Sequence, residues 1–556
     1  MKKNADKIDY KVVPTPLEVR GGKVDVAIDG VFPSSYFNKN VTLVATPVLQ
    51  YAGGETPFTP VTVQGEKVGD NNKVISYAEG GSFAYKDAVD YNPAMRISDL
   101  VLKVTATKGK KSVDFEPVKI GEGIIATATL ADNSPQTILG VTKNVNNTGI
   151  YDPSNDEFQR IVPDHFTADI HYLINSADIR STELSSNDIK KLKQYTKDAF
   201  LDQRKELKNV EVSAYASPDG ALDLNTKLSE KREGTSSKYM SEQLKKEAIE
   251  AQLNTKFTPE DWDGFRELME ESDIQDKELI LRVLSMYNDP EVREREIKNL
   301  SEAFTVVADE ILPRLRRAKI TSNVDLIGKT DEEILAAYKS NPRSLTQAEF
   351  LYAAKLQPQL ADKLKAYDMF QTIFPDDWRG YNNSGAILSQ LGNYEDAKTM
   401  FEKAEALKNN EPVIKNNLGA VLLAEGKVKE AEALFGAASG AGPEVNSNLG
   451  LVAIQQGQYD KASQLLSASN SNNAALAKIL AGDNNGALKL LESNTAQSDV
   501  KEYLKAIVAA RTAKENLMYE SLANAVKINP AIKSKIATDK EFVKYFAESK
   551  FKDIVK

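Results

Sequence analysis

Gly385, Gly392, Ala397, Phe401 and Ala404 are each followed, 34 residues later, by Gly419, Gly426, Ala431, Phe435 and Ala438. That period belongs to tandem helix–turn–helix hairpins. A hairpin of this size cannot bury its apolar face alone, so it requires stacked neighbours, and the stack leaves a concave surface. Small residues at the Gly385, Ala397 and Ala404 positions let two antiparallel helices approach closely, while Tyr394 and Phe401 fill the space between them. Gly392 suits the intervening turn. Val428 takes the place of the tyrosine in the next unit, keeping the packing role with less volume.

A third copy, Gly450, Gly457, Tyr459, Ala462 and Leu466, follows after 31 residues, which predicts a shorter turn between the repeats. A fourth, Gly482, Ala487 and Leu491, comes only 25 residues after Gly457 and is predicted to be truncated or distorted. Leu522, Ala525 and Pro530 read as the second helix of a fifth, and Tyr367, Phe370 and Pro375 as a degenerate unit ahead of the first. The tail with Phe542, Tyr545, Phe546 and Phe551 reads as a capping helix pair over the last apolar face. From Thr346 to Pro530 the pattern resembles the tetratricopeptide repeat family, which implies an α-solenoid whose groove holds another protein. Asn382, Asn383, Asn416, Asn417 and Asn448 lie on first-helix faces of these units, and asparagine amides are able to pair with an extended backbone. They are the candidate partner-binding groove; the alternative is that they face solvent or cap neighbouring helices.

The remainder of the 556 residues has room for about three or four domains in all. A formal net charge of −9 argues against a nucleic-acid surface, which needs a basic stripe. There is no cysteine, so disulfides, thiolate metal sites and cysteine nucleophiles are excluded together. His165 and His171 are the only two imidazoles, too few for a histidine-based metal site or triad. Neighbouring acids such as Glu270-Glu271 and Glu332-Glu333 do not face one another on a helix, and no Gly-Lys-Ser/Thr follows Gly80-Gly81-Ser82 or the small-residue run Gly436 to Gly440. The reading is therefore of a non-enzyme with no cofactor and no metal.

Residues 1–125 have another grammar. Val24, Val26 and Ile28 alternate with polar neighbours, as do Val41 and Leu43, and Leu100, Leu102 and Val104; Gly21-Gly22, Gly53-Gly54, Gly80-Gly81 and Gly109 punctuate them. Period-two alternation with glycine turns predicts an antiparallel β-sandwich, with Thr107 to Ser112 as a lysine-bearing hairpin tip. Residues 126–160, rich in Asn, Thr, Pro and Asp, read as a linker or loosely packed extension.

Phe166 to Ile174 reads as a strand, Glu183 to Phe200 as an amphipathic helix, Val210 to Tyr215 as a second strand, and Asn225 to Leu244 as a second helix. With Asn225, Leu228, Ser229 and Arg232 in an Asn-x-x-Leu-Ser-x-x-Arg pattern, and Arg316-Arg317 ahead of a last strand, the segment 161–328 resembles the OmpA-like domain of outer-membrane proteins. The domain is assigned to residues 161–330. The resemblance implies a peptidoglycan pocket in which a turn carboxylate takes the diaminopimelate ammonium and the helix arginine its carboxylate. Arg232 is in register, but the family's usual aspartate falls on Ser217, with Asp219 two residues on; Ser217, Asp219, Asn225 and Arg232 are the candidate site. Arg232 alternatively pairs with Glu230, Glu233 or Asp223 as an ordinary ion pair.

Between that helix and the last strand lies an insertion of helical character, about 245–313. Thr258-Pro259-Glu260-Asp261 predicts a helix start, followed by Trp262, Phe265, Leu268 and Met269, and then by Leu279, Leu281, Val283, Leu284 and Tyr287 as core-facing stripes. A β-rich front, an OmpA-like domain with this insertion and repeats over 331–556 together resemble cell-envelope lipoproteins of the Bacteroides group. The resemblance implies an outer-membrane-associated protein whose lipid-bearing cysteine and leader have been trimmed away, so that membrane contact is through that anchor alone. Two readings stand: a scaffold gripping envelope proteins in its repeat groove, and a cell-wall anchor whose ligand is peptidoglycan.

Overall fold

The computed structural model describes residues 7–140, 160–274, 277–299 and 301–556. Of the expected linker, 141–159 lies outside the described residues. Among the described residues the chain divides into two compact units: one joins 7–140 to 354–556, and the other is formed by residues within 160–353. The first therefore unites front and repeats, and residues 331–353, assigned from sequence to the repeat array, belong to the second.

In the first unit, Val24, Val26 and Ile28 of the strand Lys23–Phe32 are buried in alternation, as the pattern requires. That strand pairs antiparallel with Asp9–Val13, Val19–Arg20 and Gly81–Asp90. A second sheet is built around Thr42–Tyr51 and Ser98–Lys108, whose Leu43, Leu100 and Leu102 meet the first sheet in one shared core. Lys108 and Lys111 close a hairpin with exposed lysines.

The C-terminal half is a run of helical hairpins. Trp378–Gln390 packs on Tyr394–Leu407, Pro412–Ala424 on Val428–Ala437, Pro443–Gln455 on Tyr459–Leu465, Asn472–Leu480 on Asn484–Ser493, and Asp499–Arg511 on Glu515–Ile528. At Gly385 a Cβ would lie 2.7 Å from the Phe401 ring and 3.0 Å from the Ala397 carbonyl oxygen, so the small residue and the aromatic of the repeat require each other. Gly392, at φ 81°, turns the chain in a conformation a side chain would strain. The 31-residue third spacing does not come from a shorter turn. It comes from the second helix Val428–Ala437, 10 residues against 14 in Tyr394–Leu407, cut short where Gly440 and Gly442 follow. The fourth unit is truncated, with a first helix of 9 residues. Phe542 and Phe551 of the tail are buried against Leu522 and Ala525, closing the array.

The sandwich is seated on these repeats. Arg20 donates from Nε to the Gly457 carbonyl at 3.1 Å and lies over the Tyr459 ring, whose hydroxyl reaches the Val19 carbonyl. Arg96 donates to the Lys535 carbonyl. Glu122 accepts from Lys540 at 2.8 Å and from Lys119 at 2.9 Å, and these two ammonium groups, Lys540 first, hold its carboxyl down from 4.5 to about 2. A carboxylate with a depressed folded pKa stabilises above its unfolded pKa and loses that contribution as pH falls. Acid titration between pH 4.5 and about 2 is expected to remove this part of the junction's stability, below about 1 kcal/mol because the pair is half exposed. Unfolding curves of Glu122→Gln measured across that window should be the flatter; equal slopes for the two proteins would dismiss the link.

The second unit holds a four-stranded sheet in the order Ile161–His171, Arg317–Ile327, Lys205–Tyr215, Leu253–Thr258, the last pair parallel and the others antiparallel. Helices Asn187–Leu201 and Leu222–Lys246 bury Ile189, Leu192, Met240 and Leu244 in its core. Leu253–Thr258 corrects the expectation of an all-helical insertion. It is a largely exposed strand, so it lacks the buried alternation that identifies one. Thr258 accordingly ends a strand, and Asp261 caps the helix Trp262–Glu271 through the Gly264 amide at 2.9 Å. Phe265, Leu268, Met269, Ile280 and Leu284 form the insertion's own core, whereas Leu279 is exposed. Arg317, buried against the Tyr215 ring, joins this cap to the sheet by bonding Asp261 at 3.2 Å and Asp169 at 3.1 Å.

Candidate functional site: an asparagine ladder along the repeats

The first helices of successive hairpins stand side by side, so one position per helix forms a row. Asn383, Asn417, Asn448 and Asn473 each lie nine residues before a left-handed turn glycine, Gly392, Gly426, Gly457 and Gly482. The first three are buried to within 1% exposure, a position that asparagine occupies only when its amide is satisfied.

An extended strand of this chain's own polypeptide satisfies them. Gly140 donates its amide to Asn383 Oδ1 at 2.6 Å and accepts from Asn383 Nδ2 at 2.9 Å. Ile138 makes the same pair with Asn417, at 2.7 and 2.7 Å, and Gln136 with Asn448, at 2.7 and 2.8 Å. Asp132 closes the row on Asn473, at 2.8 and 2.8 Å. Each rung mimics the paired N–H and C=O of a neighbouring β-strand. Alternate residues 136, 138 and 140 are taken because a strand presents the same edge at every second residue.

The rungs are also tied to one another. Asn382 donates to Asn383 and to the Ile138 carbonyl, and Asn416 donates to Asn417 and to the Gln136 carbonyl. Asn417 then donates to Asn382 at 2.8 Å and Asn448 to Asn416 at 3.0 Å, so the amides form one continuous chain. At its end Tyr367 bonds Asn383, and burial pushes the phenol up to about 12. The row misses one rung between Asp132 and Gln136, where the Ser134 amide donates to Asp132 Oδ1 at 3.0 Å instead. A cavity of about 450 Å³ opens there beside Ser134, Leu451, Leu466, Asn472 and Ser498.

All five asparagines singled out from sequence thus converge on one extended segment. They neither face solvent nor cap helices, and their occupant is the stretch 132–140, which had read as linker. Asn473 was missed, although its distance from Gly482 repeats that of the other three from their glycines.

The residues singled out in the second unit are arranged differently. Asn225 is buried and its amide donates to the carbonyls of Ser217 at 3.2 Å and Gly220 at 3.0 Å, holding the turn after the second strand. Ser217 donates to Asp219, whose carboxylate is taken by Arg316 at 3.2 Å. Arg232 corrects both sequence readings, since it completes no open pocket and pairs with none of Glu230, Glu233 or Asp223. It is wholly buried over the Tyr172 ring and donates to the backbone carbonyls of Ser176 at 3.0 Å, Tyr215 at 2.9 Å and Leu173 at 3.3 Å. Burial brings its guanidinium down to about 10. A ligand carboxylate would have to displace those carbonyls to reach it. Among the described residues no group of three His, Asp or Glu side chains is placed to hold a metal ion.

With paired helices, turn glycines and a shared row of asparagines in place, the C-terminal run is built like tetratricopeptide repeats. No known family description matches the sequence, and no curated protein does. Several solved structures are similar over part of the chain. A tetratricopeptide repeat protein from Parabacteroides merdae is 14% identical, with 44% of this chain and 97% of that one covered at a TM-score of 0.29. Pseudomonas aeruginosa PilF is 17% identical, with 38% and 98% covered at 0.30. A chain of the APC/C hetero-tetramer Cut9–Hcn1 is 13% identical at 0.31; the match covers 40% of this chain and less than half, 44%, of that one.

Proposed function

We propose that this protein is a non-catalytic scaffold that holds polypeptide in extended form along its repeats, and that it works at the outer membrane of a bacterial cell envelope. One observation carries the first part: four asparagines at one repeat position take both the N–H and the C=O of an extended segment. Paired recognition of that kind reads a peptide backbone and has no use for a small molecule. The segment 132–140 is its occupant within the chain, clamping the sandwich side to the repeats, and the same chemistry accepts a segment from a partner protein. The envelope placement is supported by the sequence resemblance over 161–328 and the lipid anchor by the resemblance of the whole domain combination to Bacteroides-group envelope lipoproteins, and fractionation of the native cell tests them: recovery in the cytoplasm alone refutes them.

The groove is tested in a full-length variant whose residues 131–140 are replaced by a Gly/Ser stretch of equal length with proline at 132, 136, 138 and 140, which takes away the four rung N–H donors. Calorimetric titration with a peptide matching residues 130–140 is expected to give one site, abolished when Asn417→Ala is added. A folded variant without any affinity for the peptide would refute the scaffold reading.

A further inference from the structure

The ladder reads backbone, yet the two ends of its occupant are not equivalent. Asp132, Asn133, Ser134 and Gln136 are exposed, whereas Ile138 and Leu139 are partly buried and Gly140 is buried. Ile138 packs on the cluster of Val413, Ala441 and Val445. Leu139 packs on that of Ala386, Phe401 and Val421. At Gly140 a Cβ would stand 2.9 Å from Trp378 Cη2, closer than real contacts allow, and 3.0 Å from Cζ3 and 3.1 Å from Arg379 Cγ, tight contacts against a partly buried, packed indole. A side chain at this rung requires the Trp378 ring or the backbone pair with Asn383 to shift.

From this geometry we infer that the groove selects its partner: it is a receptor for an extended segment of the pattern apolar–apolar–glycine, entered with the segment running from the Asn473 end to the Asn383 end, and the chain's own Ile138-Leu139-Gly140 is the competitor that fills it in the absence of that partner. The inference rests on the scaffold reading and names the chemistry of its ligand. Intramolecular attachment gives the strap an effective concentration of order millimolar, so a partner binds only by expelling it. Partner capture is thereby coupled to release of residues 132–140 from the repeats.

The test uses the full-length Gly/Ser variant and four peptides matching residues 130–140. Relative to the native sequence, the peptide with Gly140→Ala is expected to bind at least about tenfold more weakly, since overpacking of this kind is costly. Ile138→Ser and Leu139→Ser together should weaken it by at least about tenfold as well. Ser134→Ala, outside the rungs, should stay within about twofold. Equal binding of the native and Gly140→Ala peptides overturns the selectivity while leaving the scaffold reading intact; absence of binding by every peptide overturns the scaffold reading and the selectivity with it. Should the variant not fold, hydrogen exchange in the otherwise native protein decides the same point. Gly140→Ala is expected to raise exchange of the Gln136 and Ile138 amides by at least about tenfold while Ser134→Ala leaves it unchanged, and equal protection in the two overturns the proposal.

Discussion

Asn417→Ala is expected to lower the unfolding free energy of the sandwich–repeat unit by about 3–5 kcal/mol. Asn417 is the central rung and makes four bonds. It bonds the Ile138 amide and carbonyl, donates to Asn382 and accepts from Asn416. Removing it strands the Ile138 N–H, one Asn416 N–H and the Asn382 Oδ1 contact in the interior, and each unpaired buried group costs about 1–3 kcal/mol. Alanine also opens a void that a neighbouring helix cannot fill without moving the hairpin. Asn417→Asp, nearly the same size, keeps the acceptor and loses the donor, so it should recover little. Denaturant melts followed by hydrogen exchange of the 132–140 amides test both effects. A loss under 1 kcal/mol with those amides still protected would show that the ladder is a contact of no energetic weight.

Arg232→Met should cost about 2–4 kcal/mol in the second unit, from the Ser176 and Tyr215 carbonyls losing their guanidinium donor and a lost cation–π contact with Tyr172, while the Leu173 carbonyl keeps the Ser176 amide. Those carbonyls belong to the turn after the first strand and to the end of the second, so Arg232 ties the helix Leu222–Lys246 to both strand ends. Lysine, with its point charge and a single nitrogen, cannot reach three diverging oxygens, and Arg232→Lys should rescue less than half of the loss. Thermal unfolding of the three proteins measures this. A variant that melts like the wild type but loses affinity for a diaminopimelate-containing stem peptide would instead make Arg232 a ligand residue.

The elements legible in the chain were those whose side chains repeat. Val24, Val26 and Ile28 announce a half-buried strand because burial alternates with the pleat, and Phe265, Leu268 and Met269 announce a helix by their spacing. Leu253–Thr258 was read as part of a helical insertion because most of its residues are exposed, and an edge strand without a buried face has no period to display. Arg232 carried the pattern of a ligand residue and the position of an interior one. Pattern reports which helix face it occupies; whether that face is open depends on the turn at 173–176 folding over it.

The spacing of glycines, alanines and aromatics by itself determined the hairpins, because a helix crossing at Gly385 tolerates no Cβ opposite Phe401. It also placed an asparagine at the same height in consecutive first helices. What lies against those asparagines was decided only in three dimensions. The rungs run through the amides and carbonyls of residues 132–140, groups common to nearly every residue, so outside Ile138, Leu139 and Gly140 the segment bears little trace in its side chains of the groove it fills.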